Sequence, residues 1–121
     1  MHDAPRILVV EDEYLIALDL DAALRTGGYR VIGPASNVSA ALELLKAERP
    51  DAAILDVNLA GQWVTPVAEV LQAMSVPFIL ASGYVAADLQ AETALRDAVN
   101  VGKTWRPELL LEALRGLLKA A

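Results

Sequence analysis

The chain has 121 residues, 55% of them hydrophobic, with a formal net charge of −6 and no cysteine. This is the size of one ordinary domain with enough apolar residues for its own core, and too apolar for a disordered chain. Disulfides and thiolate metal sites are excluded, and an acidic chain with no cluster of Lys or Arg is a poor match for a nucleic-acid backbone.

At the amino terminus, "MHDAPR" lacks the apolar stretch of a signal peptide. No apolar run approaches the roughly 20 residues of a membrane span. The default expectation is therefore a cytoplasmic protein with no membrane partner. "RILVV" (6–10) is a continuous apolar run, as expected of a central parallel strand covered on both faces. A helix follows from about Glu13, with Ile16, Leu20 and Leu24 on one stripe and Gly27-Gly28 as its stop. "YRVIGPA" (29–35) reads as a second strand, and Val38, Ala41, Leu42 and Leu45 as the stripe of a second helix. The third strand is 52–56, and a helix over 64–73 carries Val64, Val67, Ala68 and Leu71, with Pro66 tolerable in its first turn. "VPFILAS" (76–82) is a fourth strand, followed by an Ala-rich helix over 85–95 with a weak stripe of Val85, Leu89 and Leu95. A poor fifth strand lies around 98–102, and Leu110, Leu114, Leu117 and Leu118 line the last helix. Five βα units with right-handed crossovers predict an α/β, doubly wound parallel sheet with helices on both faces, as a single domain over 1–121.

In such sheets the functional crevice lies at the carboxyl ends of the strands. Strand one ends in Glu11, Asp12 and Glu13, strand three in Asp56, strand four in Ser82, and strand five near Lys103. Glu11, Asp12 and Asp56 together bring three negative charges into a small volume, so that either one carboxyl takes a proton or a cation binds. An all-oxygen site with room for water suits Mg²⁺. With Lys103 expected on the opposite side and the Ser82 hydroxyl nearby, the set fits phosphoryl transfer, where stabilising charge on equatorial oxygens is most of the work. Singly, each residue has a plainer reading: Asp12 as a helix cap, Asp56 and Ser82-Gly83 as turns, Lys103 as a solvated cation. Their convergence on one edge is what favours a site.

These residues, in "ILVVEDE" (7–13), "AAILDVNLAG" (52–61), "PFILASGY" (77–84) and "VGKTW" (101–105), resemble the receiver domain of two-component response regulators over essentially the whole chain. The resemblance implies a flavodoxin-like fold of five strands in the order 2-1-3-4-5. It implies that Asp56 is the phosphoacceptor, taking a phosphoryl group from a sensor histidine kinase or a histidine phosphotransferase. It also implies Mg²⁺ at Asp12 and Asp56, with Glu11 acting through water and the backbone carbonyl of Asn58 as a further ligand. Ser82 matches the switch hydroxyl and Lys103 the phosphate-pairing lysine. "PFILASGY" looks like a variant of the segment typical of FAT GUY single-domain regulators, which often work in bacterial stress signalling. The output would then be altered binding to a downstream protein, or shuttling and draining of phosphoryl groups, with no enzymatic turnover of its own. A homodimer through the fourth helix, fifth strand and fifth helix is a further implication.

The chain departs from the pattern at three places. Thr104 stands where receivers usually carry a proline whose cis peptide aims the lysine. A cis bond before a non-proline residue costs about 3–4 kcal/mol, which leaves either that cost or a trans peptide with Lys103 placed differently. Asn100 replaces the aromatic partner of the switch hydroxyl, for which Tyr84 or Trp105 could substitute, and Ala60 replaces a proline common after the acceptor. Tyr84 and Asn58 flank the path of water to Asp56. Trp105, with Leu111, could belong to a partner face, whereas Trp63 is expected to pack on the core. Sole histidine His2 lies at the terminus and is no credible donor or ligand. The competing readings are a degenerate receiver that binds partners without phosphorylation and a phosphatase with an aspartyl-phosphate intermediate. "DVN" counts against the phosphatase, because Asn58 cannot donate and recover a proton. A flavodoxin is disfavoured because the acidic "EDE" would repel phosphate.

Overall fold

The architecture follows from how each strand divides its side chains. A computed structural model of the protein describes residues 4–83, 92–95, 98–103 and 105–120. Within it the order of elements is β1 (Arg6–Val10), α1 (Tyr14–Thr26), β2 (Arg30–Ala35), α2 (Val38–Ala47), β3 (Ala52–Leu55), β4 (Asn58–Leu59), β5 (Gln62–Trp63), α3 (Thr65–Ala73), β6 (Phe78–Leu80) and α4 (Pro107–Ala120). The main sheet is parallel, in the order β2-β1-β3-β6. Successive side chains of a strand point to opposite faces, and the core is split accordingly. Leu8, Val10, Ala53, Leu55 and Leu80 face a cluster containing Val38, Ala41 and Leu45 of α2 and Val67, Ala68 and Leu71 of α3. Ile7, Val9, Ala52, Ile54, Ile79 and Ala81 face Leu20 and Leu24 of α1 and Leu110 and Leu114 of α4. The helical stripes read from the sequence are the faces that pack, and the order of the first four long strands is the expected one.

Three details differ from the sequence reading. The expected fifth strand is a single parallel bridge between Asn100 and Leu80, in a segment where Asn and Gly fit a pleated ladder poorly. The acceptor loop contains an antiparallel hairpin, β4–β5, with Asn58 opposite Trp63 and Leu59 opposite Gln62. Its two-residue turn has φ of 53° at Ala60 and 93° at Gly61, the signs of a type I′ turn, whose twist matches that of the flanking strands. The helix expected over 85–95 falls largely on residues outside those described; of its stripe, Leu95 is fully buried in the first cluster, while Val85 and Leu89 lie outside. Among the described residues no helix is long and apolar enough to cross a membrane.

Candidate functional site

The sheet delivers its polar residues by running its ladder one step past the regular strands. The Glu11 amide donates to the Ala35 carbonyl, the Asp56 amide to Val10 and the Ala81 amide to Leu55, each at 2.9 Å. Glu11 and Asp56 therefore stand on adjacent strands at the same level, with Ser82 one residue beyond on the next. A register shift between Leu8 and Val10 inserts one extra residue in β2 and brings Ala35 level with Val10, where its carbonyl accepts from the Glu11 amide.

Three carboxylates converge here: one oxygen each from Glu11, Asp12 and Asp56 lies within 4.8 Å of the others. Glu11 and Asp56 are 2% and 5% exposed, and among the described residues the other buried ones are almost all apolar. Lys103 does not face them from the opposite side; its ammonium is wedged between them. Nζ donates to both Glu11 oxygens at 2.9 and 3.1 Å and to Asp56 Oδ2 at 3.0 Å, with the exposed Glu13 carboxylate at 3.7 Å. The Glu13 amide also donates to Glu11 Oε2. Burial pushes the Glu11 carboxyl up to about 7, against the opposing pull of Lys103 and with a smaller push from Asp56. Burial likewise raises Asp56, again opposed by Lys103. For Lys103, burial works downward, but its bonds to Glu11 and Asp56 outweigh it and hold the ammonium above its usual range. The crowding of like charges expected from the sequence is real, yet loss of water is the larger cause.

With all four groups ionised, three carboxylates and one ammonium leave two negative charges to be balanced. That deficit, an all-oxygen donor set and an adjoining cavity of about 460 Å³ lined by Asp12, Glu13, Asp56, Asn58, Ser82, Gly83 and Lys103 fit a hard divalent cation that keeps part of its water shell. The acidic cluster could thus hold a metal ion. Asn58 reaches the cavity, but its side-chain oxygen accepts from the Gly61 amide at 2.7 Å and so is committed to the hairpin.

The family model for the response regulator receiver domain matches residues 7–115. The chain belongs to the response regulator receiver family. It is similar to the transcriptional regulatory protein PdtaR of Mycobacterium tuberculosis, with 32% identity over 85 residues, covering 69% of this chain and 42% of that protein. It is also 32% identical over 107 residues to the phyllosphere-induced regulator PhyR of Methylorubrum extorquens, covering 86% of this chain and 40% of PhyR. This receiver therefore spans about two fifths of the length of these curated relatives. Among solved structures, the BeF3-activated conformation of SdrG from Pseudomonas melonis superposes with a TM-score of 0.79 at 37% identity, covering 98% of this chain and 99% of that one.

Within this receiver, Glu11, Asp12, Asp56 and Lys103 come together at one sheet edge, and Ser82, 2% exposed, lines the same cavity. Trp105 packs partly against the α1–α4 core, lining a groove with Ile16, Lys103, Pro107 and Leu111, so much of its surface is committed to its own domain. Trp63 packs partly on the opposite cluster, as expected. Tyr84, His2 and the Lys103–Thr104 peptide lie outside the described residues. One residue has contacts that the sequence reading did not assign. Asn100 marked only a missing aromatic in the sequence, but its side-chain oxygen accepts from the Ser82 amide at 3.1 Å and the Gly102 amide at 2.9 Å. Its spacing two residues before a glycine, a pattern that favours side-chain turns, was the available signal.

Proposed function

We propose that this receiver is a phosphoacceptor switch in a two-component phosphorelay, with Asp56 as the nucleophile. The observation that carries the reading is the buried Asp56 carboxylate at a strand end, sharing one ammonium with Glu11 beside Asp12. An Asp56 oxygen attacks phosphorus of a phosphohistidine; the O–P bond forms as the P–N bond breaks, and the imidazole leaves with the electron pair. Lys103, already within hydrogen-bond distance of Asp56, offsets charge on the transferred oxygens, and Ser82, which lines the same cavity, supplies a hydroxyl to meet them. Glu11, Asp12 and Asp56, with the backbone carbonyl of Asn58, would hold Mg²⁺. The ion would neutralise the approaching phosphoryl oxygens. The donor is a histidine kinase or a histidine phosphotransferase, and the output is altered binding to a downstream protein or removal of phosphoryl groups from the relay. A dimer through the last helix and the segment around Asn100 is one form that output could take.

The similarity to SdrG, whose solved form is BeF3-activated, supports phosphoryl-dependent signalling by a chain of this extent. On this reading the phosphorylated aspartate is the end of the transfer rather than an intermediate of a phosphatase. The residue two positions on, Asn58, carries no titratable proton, and its oxygen is occupied by Gly61. Intact mass after incubation with acetyl phosphate or phosphoramidate tests the reading. A single phosphoryl adduct is expected, dependent on Mg²⁺ and absent in Asp56→Asn. An adduct that survives the substitution would place the acceptor elsewhere, and none from small donors or a phosphorylated phosphotransferase would leave a phosphorylation-independent binding module.

A further inference from the structure

The pairing between β6 and residues 98–102 amounts to two hydrogen bonds around Leu80: its amide donates to Val99 and its carbonyl accepts from Val101, both at 2.8 Å. A regular parallel ladder would next give the Ser82 amide to a carbonyl of the neighbouring strand. The Asn100 side chain takes that place. A single oxygen accepts from Ser82 and from Gly102, joining the residue that bears the buried hydroxyl to the residue just before Lys103. Gly102, at φ 81°, turns the chain so that Lys103 reaches back to Glu11 and Asp56. The two segments also run close together: a side chain added at Gly83 would bring its Cβ to 3.8 Å from Lys103 Cγ.

The plain reading of Asn100 is an exposed turn residue bonded to the amide two places on. The bond to Ser82, eighteen residues away and on a different segment, exceeds that reading. We propose that Asn100 is a positioning residue for phosphoryl transfer, a bracket that fixes the separation of the Ser82 hydroxyl and the Lys103 ammonium. The proposal rests on the phosphoacceptor reading of Asp56. If the Ser82 segment moves toward a phosphoryl group on Asp56, the bracket draws Asn100 and Gly102 with it, so that hydroxyl and ammonium shift together. The carboxylates that would hold the metal follow β1 and β3 and are fixed by the main ladder rather than by the bracket, so its loss should displace Lys103 and leave them in place.

The test compares wild type, Asn100→Ala and Asn100→Asp, the last keeping an acceptor oxygen. Phosphorylation by acetyl phosphate at saturating Mg²⁺ should slow about five- to tenfold in Asn100→Ala, as expected when a stabilising group loses its aim. Mg²⁺ affinity should stay within about twofold, and Asn100→Asp should recover most of the rate. Phosphorylation of Asn100→Ala at the wild-type rate overturns the proposal, as does an equal loss of rate and Mg²⁺ affinity, which indicates general loosening. A wild-type chain that accepts no phosphoryl group sinks the phosphoacceptor reading instead. The bracket is then judged by amide hydrogen exchange at Ser82 and Gly102. Protection lost in Asn100→Ala and kept in Asn100→Asp supports it, and equal exchange in all three chains overturns it.

Discussion

Replacing Glu11 by Gln should make the metal-free protein more stable, and only at higher pH. Burial raises the Glu11 carboxyl from 4.5 to about 7, so between those values the folded chain holds a proton that the unfolded chain has lost. Its contribution favours folding fully below pH 4.5 and is lost as pH rises toward 7. Above that, ionised Glu11 opposes folding by about 3 kcal/mol, since each tenfold in proton affinity is worth about 1.4 kcal/mol. The bonds from Lys103 do not reverse this sign, because the raised value is what remains after they have pulled it down. Glutamine keeps the shape and cannot ionise. Urea unfolding in EDTA should therefore show Glu11→Gln more stable than wild type by about 2–3 kcal/mol at pH 8, and level with it near pH 4.5. A variant less stable than wild type at pH 8, or a difference that does not change with pH, would refute the argument that burial dominates this site.

Three other outcomes are expected. Mg²⁺ at about a hundredfold excess over its Kd should stabilise wild type by about 2.7 kcal/mol in urea unfolding, with a weaker effect near pH 6, where protons compete for Glu11, and little in Asp56→Asn; an unchanged midpoint in wild type counts against a metal site. Ala60→Asn, which places an Asn-Gly pair in the type I′ turn and relieves a positive φ that costs a Cβ-bearing residue about 1–2 kcal/mol, should raise stability by about 0.5–1 kcal/mol without altering phosphorylation; a lower unfolding midpoint refutes the turn assignment. Leu114→Ala, at a fully buried position between α4 and the sheet, should cost about 2–5 kcal/mol, whereas Leu109→Ala, 56% exposed, should stay within about 0.5 kcal/mol; equal effects would mean that α4 packs by another face.

What was legible in the sequence follows the range of each signal. The runs 6–10 and 52–55 and the stripes of α1, α2, α3 and α4 are local periodicities, and they give the layers directly. Asp56 and the acidic pair were legible because a carboxylate closing an apolar strand is conspicuous. The wedge made by Lys103 was not: a four-carbon stem reaches several places, and nothing local says that it threads between Glu11 and Asp56. The β4–β5 hairpin escaped because each strand has two residues and its turn is Ala-Gly rather than Asn-Gly. Asn100 escaped because its decisive bond is to Ser82, far away in the chain. Comparison with a family pattern showed which aromatic was absent and gave no hint of what the amide does in its place.

The ladder that carries Glu11 beside Asp56 also works as a built-in inspection of the fold. A slip of β3 against β1 by one residue would interchange the two cores, turning Ala52 and Ile54 toward α2 and α3 and Ala53 and Leu55 toward α1 and α4. The same slip would carry Val57 to the level of Glu11 and leave Lys103 without its second carboxylate. A misregistered chain thus has to repack both cores and loses the pairing of Asp56 with Glu11 in the same step.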